Sequence, residues 1–311
     1  MTRWGWIDVI AKRRGLFQGQ LLAVLVVGAL VSAIVPGSSP GAAAAKPHLT
    51  VGGKLDTEAQ LLTKLYVLVL RKAGFDVTEK SKLGTNDIVH NAIISGQIDL
   101  YPEFTATGLA RLKLTTTHND QQDYALVKAG YEKQFHITWL AMSPLNDTYG
   151  ICTTQAKGAT LGTKVSGLAQ AAPKLTVASP PDGTSDPNVL PGMKAAYGFT
   201  FGKVTVLDEA LTFPAVQQGK ADVNVCYTTS ALIAKNHFVL LDDDHHLFPI
   251  YHPAPIVRDA TLAKAPEIAT ALNRLAPKLT TEVSQQLQLQ VVNGASVTDA
   301  ATTWLKGAGL L

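Results

Sequence analysis

From residue 48 onward, short apolar runs alternate with longer stretches whose apolar residues recur at helical spacing, the pattern of an α/β chain. His48-Leu49-Thr50-Val51-Gly52-Gly53-Lys54 reads as a strand closing in a glycine turn. Asp56 or Thr57 then caps a helix with Leu61, Leu65, Leu68 and Val69 on its apolar face, and Gly74 stops it. Phe75-Asp76-Val77-Thr78 reads as a second strand. Gly84-Thr85-Asn86-Asp87 opens a second helix, with Ile88, Ala92 and Ile93 facing inward and Gly96 at its end. Residues 98–100 form a buried third strand. It leads into Tyr101-Pro102-Glu103-Phe104-Thr105-Ala106-Thr107-Gly108, read as one tight turn carrying two aromatics, a carboxylate and two hydroxyls. This βαβαβ order with short connections predicts a parallel, helix-covered sheet with a crevice at the carboxyl ends of its strands.

A middle region repeats the device. Residues 204–207 read as a strand, and Asp208 caps a helix running to about residue 218. Gly219-Lys220-Ala221-Asp222-Val223-Asn224-Val225-Cys226-Tyr227-Thr228-Thr229 then parallels Gly96-Gln97-Ile98-Asp99-Leu100-Tyr101 through Thr105. Each is a helix end, a Gly-x-x-Asp-apolar strand, an aromatic and a threonine. Two α/β lobes follow, joined by a crossover near 139–151 and a return at 247–258. Pro249, Pro253 and Pro255 suit the return to a stiff hinge. The tail from 265 to 311 is helical in pattern and is expected to pack back on the first lobe. The expected division is 1–45 as a leader, 46–148 plus 250–311 as lobe I, and 149–249 as lobe II.

Composition narrows the function. At 46% hydrophobic and 16% charged, 311 residues suffice for two domains with real cores. The formal charge of +3 comes from the N-terminus, where Arg3, Lys12, Arg13 and Arg14 face only Asp8; the remaining body has 23 basic and 23 acidic residues. A neutral body argues against nucleic acid. The basic start, the apolar run over 21–35 and the alanine-rich segment ending at Ala45 read as a signal peptide or an uncleaved anchor, with Lys12-Arg13-Arg14 loosely like a twin-arginine signal. Either way the body is expected outside the cytoplasm, and with no cysteine near the run it is not a Cys-anchored lipoprotein. Cys152 and Cys226 are the two cysteines. Export permits a disulfide, but both sit in apolar strand-like runs where buried free thiols fit equally well.

The candidate chemistry is aromatic. Phe104, Tyr149, Tyr227 and Tyr251 fall at expected strand ends in four separate segments, each beside polar residues. Such a cluster in a neutral cleft suits a quaternary ammonium ion, which cannot donate hydrogen bonds and is held by ring faces. With Val51-Gly52-Gly53-Lys54, Thr57-Glu58, Gly84-Thr85-Asn86, Gly96 through Gly108, Asn146-Asp147-Thr148-Tyr149, Pro181-Asp182-Gly183, Asp222 through Tyr227 and Phe248 through Arg258, the chain resembles the substrate-binding proteins of glycine betaine and choline ABC importers (OpuAC/ProX-like). The resemblance spans about residues 48–311. It implies a type II periplasmic-binding-protein fold with two interlobe crossovers, a membrane permease as partner, no cofactor and no catalysis. It puts cage rings at Phe104, Tyr149, Tyr227 and Tyr251, and carboxylate-binding groups at Lys54 and Thr107. Asp147 is a candidate for a ligand hydroxyl or the ammonium, or for capping the turn before Tyr149.

The chain departs from the family pattern at Phe104, where tyrosine is usual, at Ala106 in place of glycine, at Ala59 in place of glutamine, and at Pro180, where a basic residue often stands. The last two remove carboxylate partners and leave choline as good a candidate as glycine betaine, with carnitine beside them. Glu103 is expected at solvent or at the permease surface. Asp242-Asp243-Asp244-His245-His246 invites a metal reading, but adjacent residues rarely converge on one ion, and a solvated loop is expected. From residue 46 onward no Gly-x-Ser-x-Gly elbow, His-Glu-x-x-His or Walker loop is present. The alternatives are a ligand sensor of the same fold acting on a membrane partner, and an exported hydrolase.

Overall fold

Two aspartates at equivalent places set the frame. The backbone N–H of Thr50 donates to Asp99 Oδ2 at 2.8 Å, and that of Thr176 donates to Asp222 Oδ2 at 2.8 Å. In return, the N–H groups of Asp99 and Asp222 donate to the carbonyls of Thr50 and Thr176. The Gly-x-x-Asp segments that repeat in the sequence therefore perform the same task twice, pinning one parallel strand to its neighbour where both begin.

This computed structural model describes residues 46–311, so the leader reading of 1–45 lies outside the described residues. The strands are β1 (Leu49–Lys54), β2 (Val77–Gly84), β3 (Leu100–Phe104), β4 (Ile137–Trp139), β5 (Tyr149–Thr154), β6 (Thr176–Ser179), β7 (Lys203–Val206), β8 (Val223–Tyr227), β9 (Phe238–Leu241) and β10 (Pro253–Arg258). They form two five-stranded sheets, ordered β2-β1-β3-β10-β4 and β7-β6-β8-β5-β9. The chain passes from the first sheet to the second after β4 and returns after β9.

The sheets are mixed rather than parallel throughout. β1, β2 and β3 run parallel, as do β6, β7 and β8, but β10 is antiparallel to β3 and β4, and β5 to β8 and β9. The reversal positions side chains directly. The first residues of β5 and β10 lie at the carboxyl ends of β8 and β3, so that Tyr149 pairs with Tyr227 and Pro253 with Phe104.

Around the first sheet, helix Thr57–Lys72 buries Leu61, Leu65 and Leu70 against Val51, Leu100 and the tail residues Leu272 and Leu305. Each such leucine contributes roughly 1.5–3 kcal/mol. The helical tail packs where the sequence places it. Asp56 caps the helix by accepting from the Ala59 N–H at 2.7 Å. A second core holds Ile151, Val177, Val223 and Val225 against Phe199 and Phe248. Cys152 on β5 and Cys226 on β8 are joined by a disulfide, which settles the choice the sequence left open. It ties together the two strands that carry Tyr149 and Tyr227. None of the described helices is long and apolar enough to cross a membrane.

Several local expectations change. Gly52 and Gly53 lie inside β1 and make no turn. They admit close neighbours: a Cβ on Gly53 would lie 2.3 Å from Thr63 Oγ1, and one on Gly52 2.5 Å from Ile98 Cδ1. The second strand starts at Val77, and Phe75 enters the core. Ile88 points outward at 51% exposure, and Val89 takes its place inside. Tyr101 through Phe104 is not a turn but the buried strand β3, and Thr105 opens helix Thr105–Arg111. Ala106 is thus a helix residue, and the restriction expected from replacing a turn glycine does not arise.

Gly53→Ala is expected to cost about 1–3 kcal/mol, because helix Thr57–Lys72 must move off β1 or Thr63 must leave its rotamer. Denaturant unfolding measures this, and adding Thr63→Ala should recover part of the loss. Full wild-type stability in the single variant would show that the helix does not depend on this close approach.

Candidate functional site

Phe104 is the last residue of β3, Tyr149 the first of β5 and Tyr227 the last of β8; Tyr251 sits on the return crossing just before β10. The four side chains line one cavity of about 310 Å³. The Tyr149 and Tyr227 ring centroids are 5.3 Å apart with planes tilted by 38°. Tyr251 stands edge-on to Tyr149 at 6.0 Å and 81°. Three ring orientations around one space make a partial box rather than a stack.

Lys54, Thr107 and Asp147 line the same cavity, so the structure brings all seven candidate residues together. The two crossings hold the box in place. The Asp147 N–H donates to the Tyr251 carbonyl at 3.0 Å, the Tyr251 N–H to Asn146 Oδ1 at 2.8 Å, and Thr228 Oγ1 to the Asn146 carbonyl at 2.8 Å.

Lys54 does not present a free charge. Its Nζ donates to Glu103 Oε1 at 2.6 Å and lies 5.0 Å from the Phe104 ring centroid. Glu103 is fully buried, so the expectation of a solvent or permease face is corrected. It also accepts from Tyr101 Oη at 2.7 Å and from the Phe104 N–H at 2.9 Å. The residue lies mid-strand with its side chain turned into the protein, where a carboxylate survives only with such partners.

Asp147 does not cap the turn before Tyr149. It accepts from Thr229 Oγ1 at 2.6 Å and lines the same cavity as Glu58.

Four acidic residues line the cavity: Asp56, Glu58, Asp147 and Glu209. Asp56, Glu58 and Glu209 stand at the cap or in the first turn of their helices, where the dipole favours negative charge. Burial nonetheless raises the carboxyls of Glu58, Glu209 and Asp147, the last to about 6. Asp182 stands behind the box, and its Oδ2 accepts from both Tyr149 Oη, at 2.9 Å, and Tyr227 Oη. Burial and this carboxylate keep the Tyr227 phenol protonated; for Tyr149, burial and the neighbouring tyrosines do so. One anion therefore orients two rings and adds electron density behind them.

Glu58 and Asp182 belong to motifs the sequence singles out, but nothing in those motifs marks them as cavity residues. Glu209 and Asp56 carry no local signal beyond that of helix caps.

Residues 47–307 match the family of the substrate binding domain of ABC-type glycine betaine transport systems. The chain belongs to this family. The glycine betaine-binding protein YehZ of Escherichia coli K12 is 31% identical, the match covering 92% of this chain and 96% of that one. The carnitine transport binding protein OpuCC of Listeria monocytogenes is 29% identical, covering 81% of this chain and 84% of the other. A crystal structure of a glycine betaine/carnitine/choline ABC transporter superposes with a TM-score of 0.78 at 24% identity, over 84% of this chain and 99% of that one. The fold is that of type II periplasmic binding proteins, and the relatives are substrate-binding proteins of transport systems rather than enzymes.

In this member of the family the Asp-His run has a structural use. Asp243 accepts from Tyr197 Oη and from the N–H groups of Leu247 and Phe248, and Asp244 accepts from the Ser166 N–H and hydroxyl. Two of the three aspartates thus tie the loop after β9 to its surroundings instead of standing in solvent. Among the described residues no group of three or more His, Cys, Asp or Glu side chains is placed to hold a metal ion.

Proposed function

We propose that the protein is the extracytoplasmic substrate-binding component of an ABC importer. It captures a quaternary ammonium solute (choline, glycine betaine or carnitine) and delivers it to a membrane permease. The observation that carries this reading is the convergence of Phe104, Tyr149, Tyr227 and Tyr251, drawn from both sheets and a crossing, on one cavity rimmed by carboxylates. A trimethylammonium group has no N–H to donate, so ring faces and diffuse negative potential are what can hold it, at roughly 0.5–2 kcal/mol per ring.

The cage works with lobe closure. Lobe I is 46–148 plus 250–311 and lobe II is 149–249, hinged at the two crossings. Phe104 contributes from the first sheet, Tyr149 and Tyr227 from the second, and Tyr251 from the hinge itself. A ligand touching all four gains contacts only when the lobes approach, so it shifts the balance towards the closed form. Gln285 Nε2 and Gln288 Nε2, which donate to the carbonyls of Thr228 and Thr229, already bridge the tail helix to the end of β8. Thr107 and Lys54 face the ligand's polar end, with Lys54 shared with Glu103. The permease recognises the closed form, and no covalent step occurs.

Calorimetric titration of the purified protein with choline, glycine betaine, carnitine and 3,3-dimethylbutanol, the neutral isostere of choline, tests this. Binding that requires the fixed positive charge is the expected result. Equal binding of the neutral isostere, or no binding of any cation, would overturn the cage.

A further inference from the structure

Glu58 and Asp147 are two acids that line the same cavity. Glu58 lies in the first turn of helix Thr57–Lys72 and is 5% exposed. Its Oε1 accepts from Ser284 Oγ and lies 3.5 Å from Gln288 Nε2. Its Oε2 is fully buried and has no hydrogen-bond donor. Asp147 reaches the same place from the first crossing, with Oδ1 held by Thr229 Oγ1. Gln288 Nε2 donates to the Thr229 carbonyl, which joins the surroundings of the two acids, and two buried carboxyl groups sharing one site are not both readily ionised. One proton on Glu58 turns its orphaned oxygen from an acceptor without a donor into a donor itself.

We propose that Glu58 and Asp147 act as one proton-sharing acid that makes this cavity select net-cationic quaternary ammonium ligands over zwitterionic ones, a proton leaving as the cation enters. The proposal rests on the ligand class proposed above and names which members of it the site favours.

The surroundings support the direction. Asp56 at the head of the same helix adds negative charge, as does Glu209 from the second sheet. Ser284, Gln288 and Thr229 are neutral. Lys54 opposes them, but its charge is matched at 2.6 Å by Glu103. Burial, and then the Asp147 charge, hold Glu58 protonated well above the usual carboxylate range, while burial pushes Asp147 up to about 6. The pair titrates as a unit. At neutral pH the pair carries one negative charge, and in acid it becomes a neutral diacid. A bound cation stabilises the anion, so cation binding weakens in acid and releases a proton there. A zwitterion brings its own carboxylate into the acidic cavity, which cancels most of this coupling and costs affinity at neutral pH.

The test is calorimetry on the whole protein with choline and with glycine betaine, at pH 7.5 and 5.0, in two buffers of different ionisation enthalpy. Choline affinity should fall roughly tenfold from pH 7.5 to 5.0, with net proton release in acid, while glycine betaine changes less than about threefold. Asp147→Asn should flatten the choline profile and lower its neutral-pH affinity roughly tenfold. Glu58→Gln, whose amide also donates, should move the acid fall to lower pH. Buffer-independent heats, or the same pH profile for both ligands, would overturn the proposal while leaving the function intact. Failure of both ligands to bind at every pH would overturn the proposed function, and this inference with it.

Discussion

Glu103→Ala is expected to destabilise the protein by about 3–5 kcal/mol, read from denaturant unfolding at pH 7. The size follows from what remains behind. Glu103 is fully buried and neutralises Lys54, whose side chain is 8% exposed. Removing the carboxylate strands an ammonium group beside the Phe104 ring, leaves the Tyr101 hydroxyl without its acceptor and opens a void where the fully buried side chain stood. The paired variant Lys54→Met/Glu103→Leu separates charge from packing. Replacing both members of a buried pair by apolar groups is often neutral, so the double variant should recover most of the loss. If Glu103→Ala costs less than about 1 kcal/mol, the pair is solvated in solution and the cavity wall is looser than described. The isosteric Glu103→Gln bears on function: it frees the Lys54 charge, and glycine betaine should gain relative to choline.

The secondary elements were largely legible in the sequence because their signals are local. Asp56 caps, Gly74 ends a helix, and Leu61 and Leu65 mark a buried face, each within one or two turns of chain. The repeated Gly-x-x-Asp was legible as a pattern, although its physical content, a backbone pin to the neighbouring strand, needs two segments 46 or 49 residues apart. What the sequence hid was strand direction. Nothing local to Tyr149-Gly150-Ile151 or Pro253-Ala254-Pro255 states that these strands run against their neighbours. Apolar alternation is the same in both directions, and only long-range pairing decides it.

The site shows the same division. Aromatic residues beside strand ends can be picked out one by one, and all four line one cavity. The acid lining cannot, because Asp56 and Glu209 carry only the signature of ordinary helix starts. The place of Glu103 is hidden for a related reason. A glutamate between proline and phenylalanine looks exposed until its strand is known to be buried on both faces. Its partner Lys54 lies 49 residues earlier, a pairing no local rule supplies.

The largest effect on binding is expected from Tyr149→Ala/Tyr227→Ala, which should weaken choline or glycine betaine by roughly 10²–10³-fold. Two ring faces are lost at once, from adjacent strands stapled by the Cys152–Cys226 disulfide, so little else can move in to replace them. The corresponding Tyr149→Phe/Tyr227→Phe variant keeps the faces and removes only the hydroxyls that donate to Asp182. It should lose no more than about tenfold, because the rings remain packed 5.3 Å apart while the carboxylate behind them no longer fixes their tilt. Circular dichroism melts of both variants keep a folding defect apart from a binding one, since the rings sit at the cavity edge of the second core. Phenylalanine losses as large as those of alanine would assign the binding to the hydroxyls and Asp182, and so to a ligand that donates hydrogen bonds. Wild-type affinity in the alanine variant would remove the aromatic cage from the mechanism.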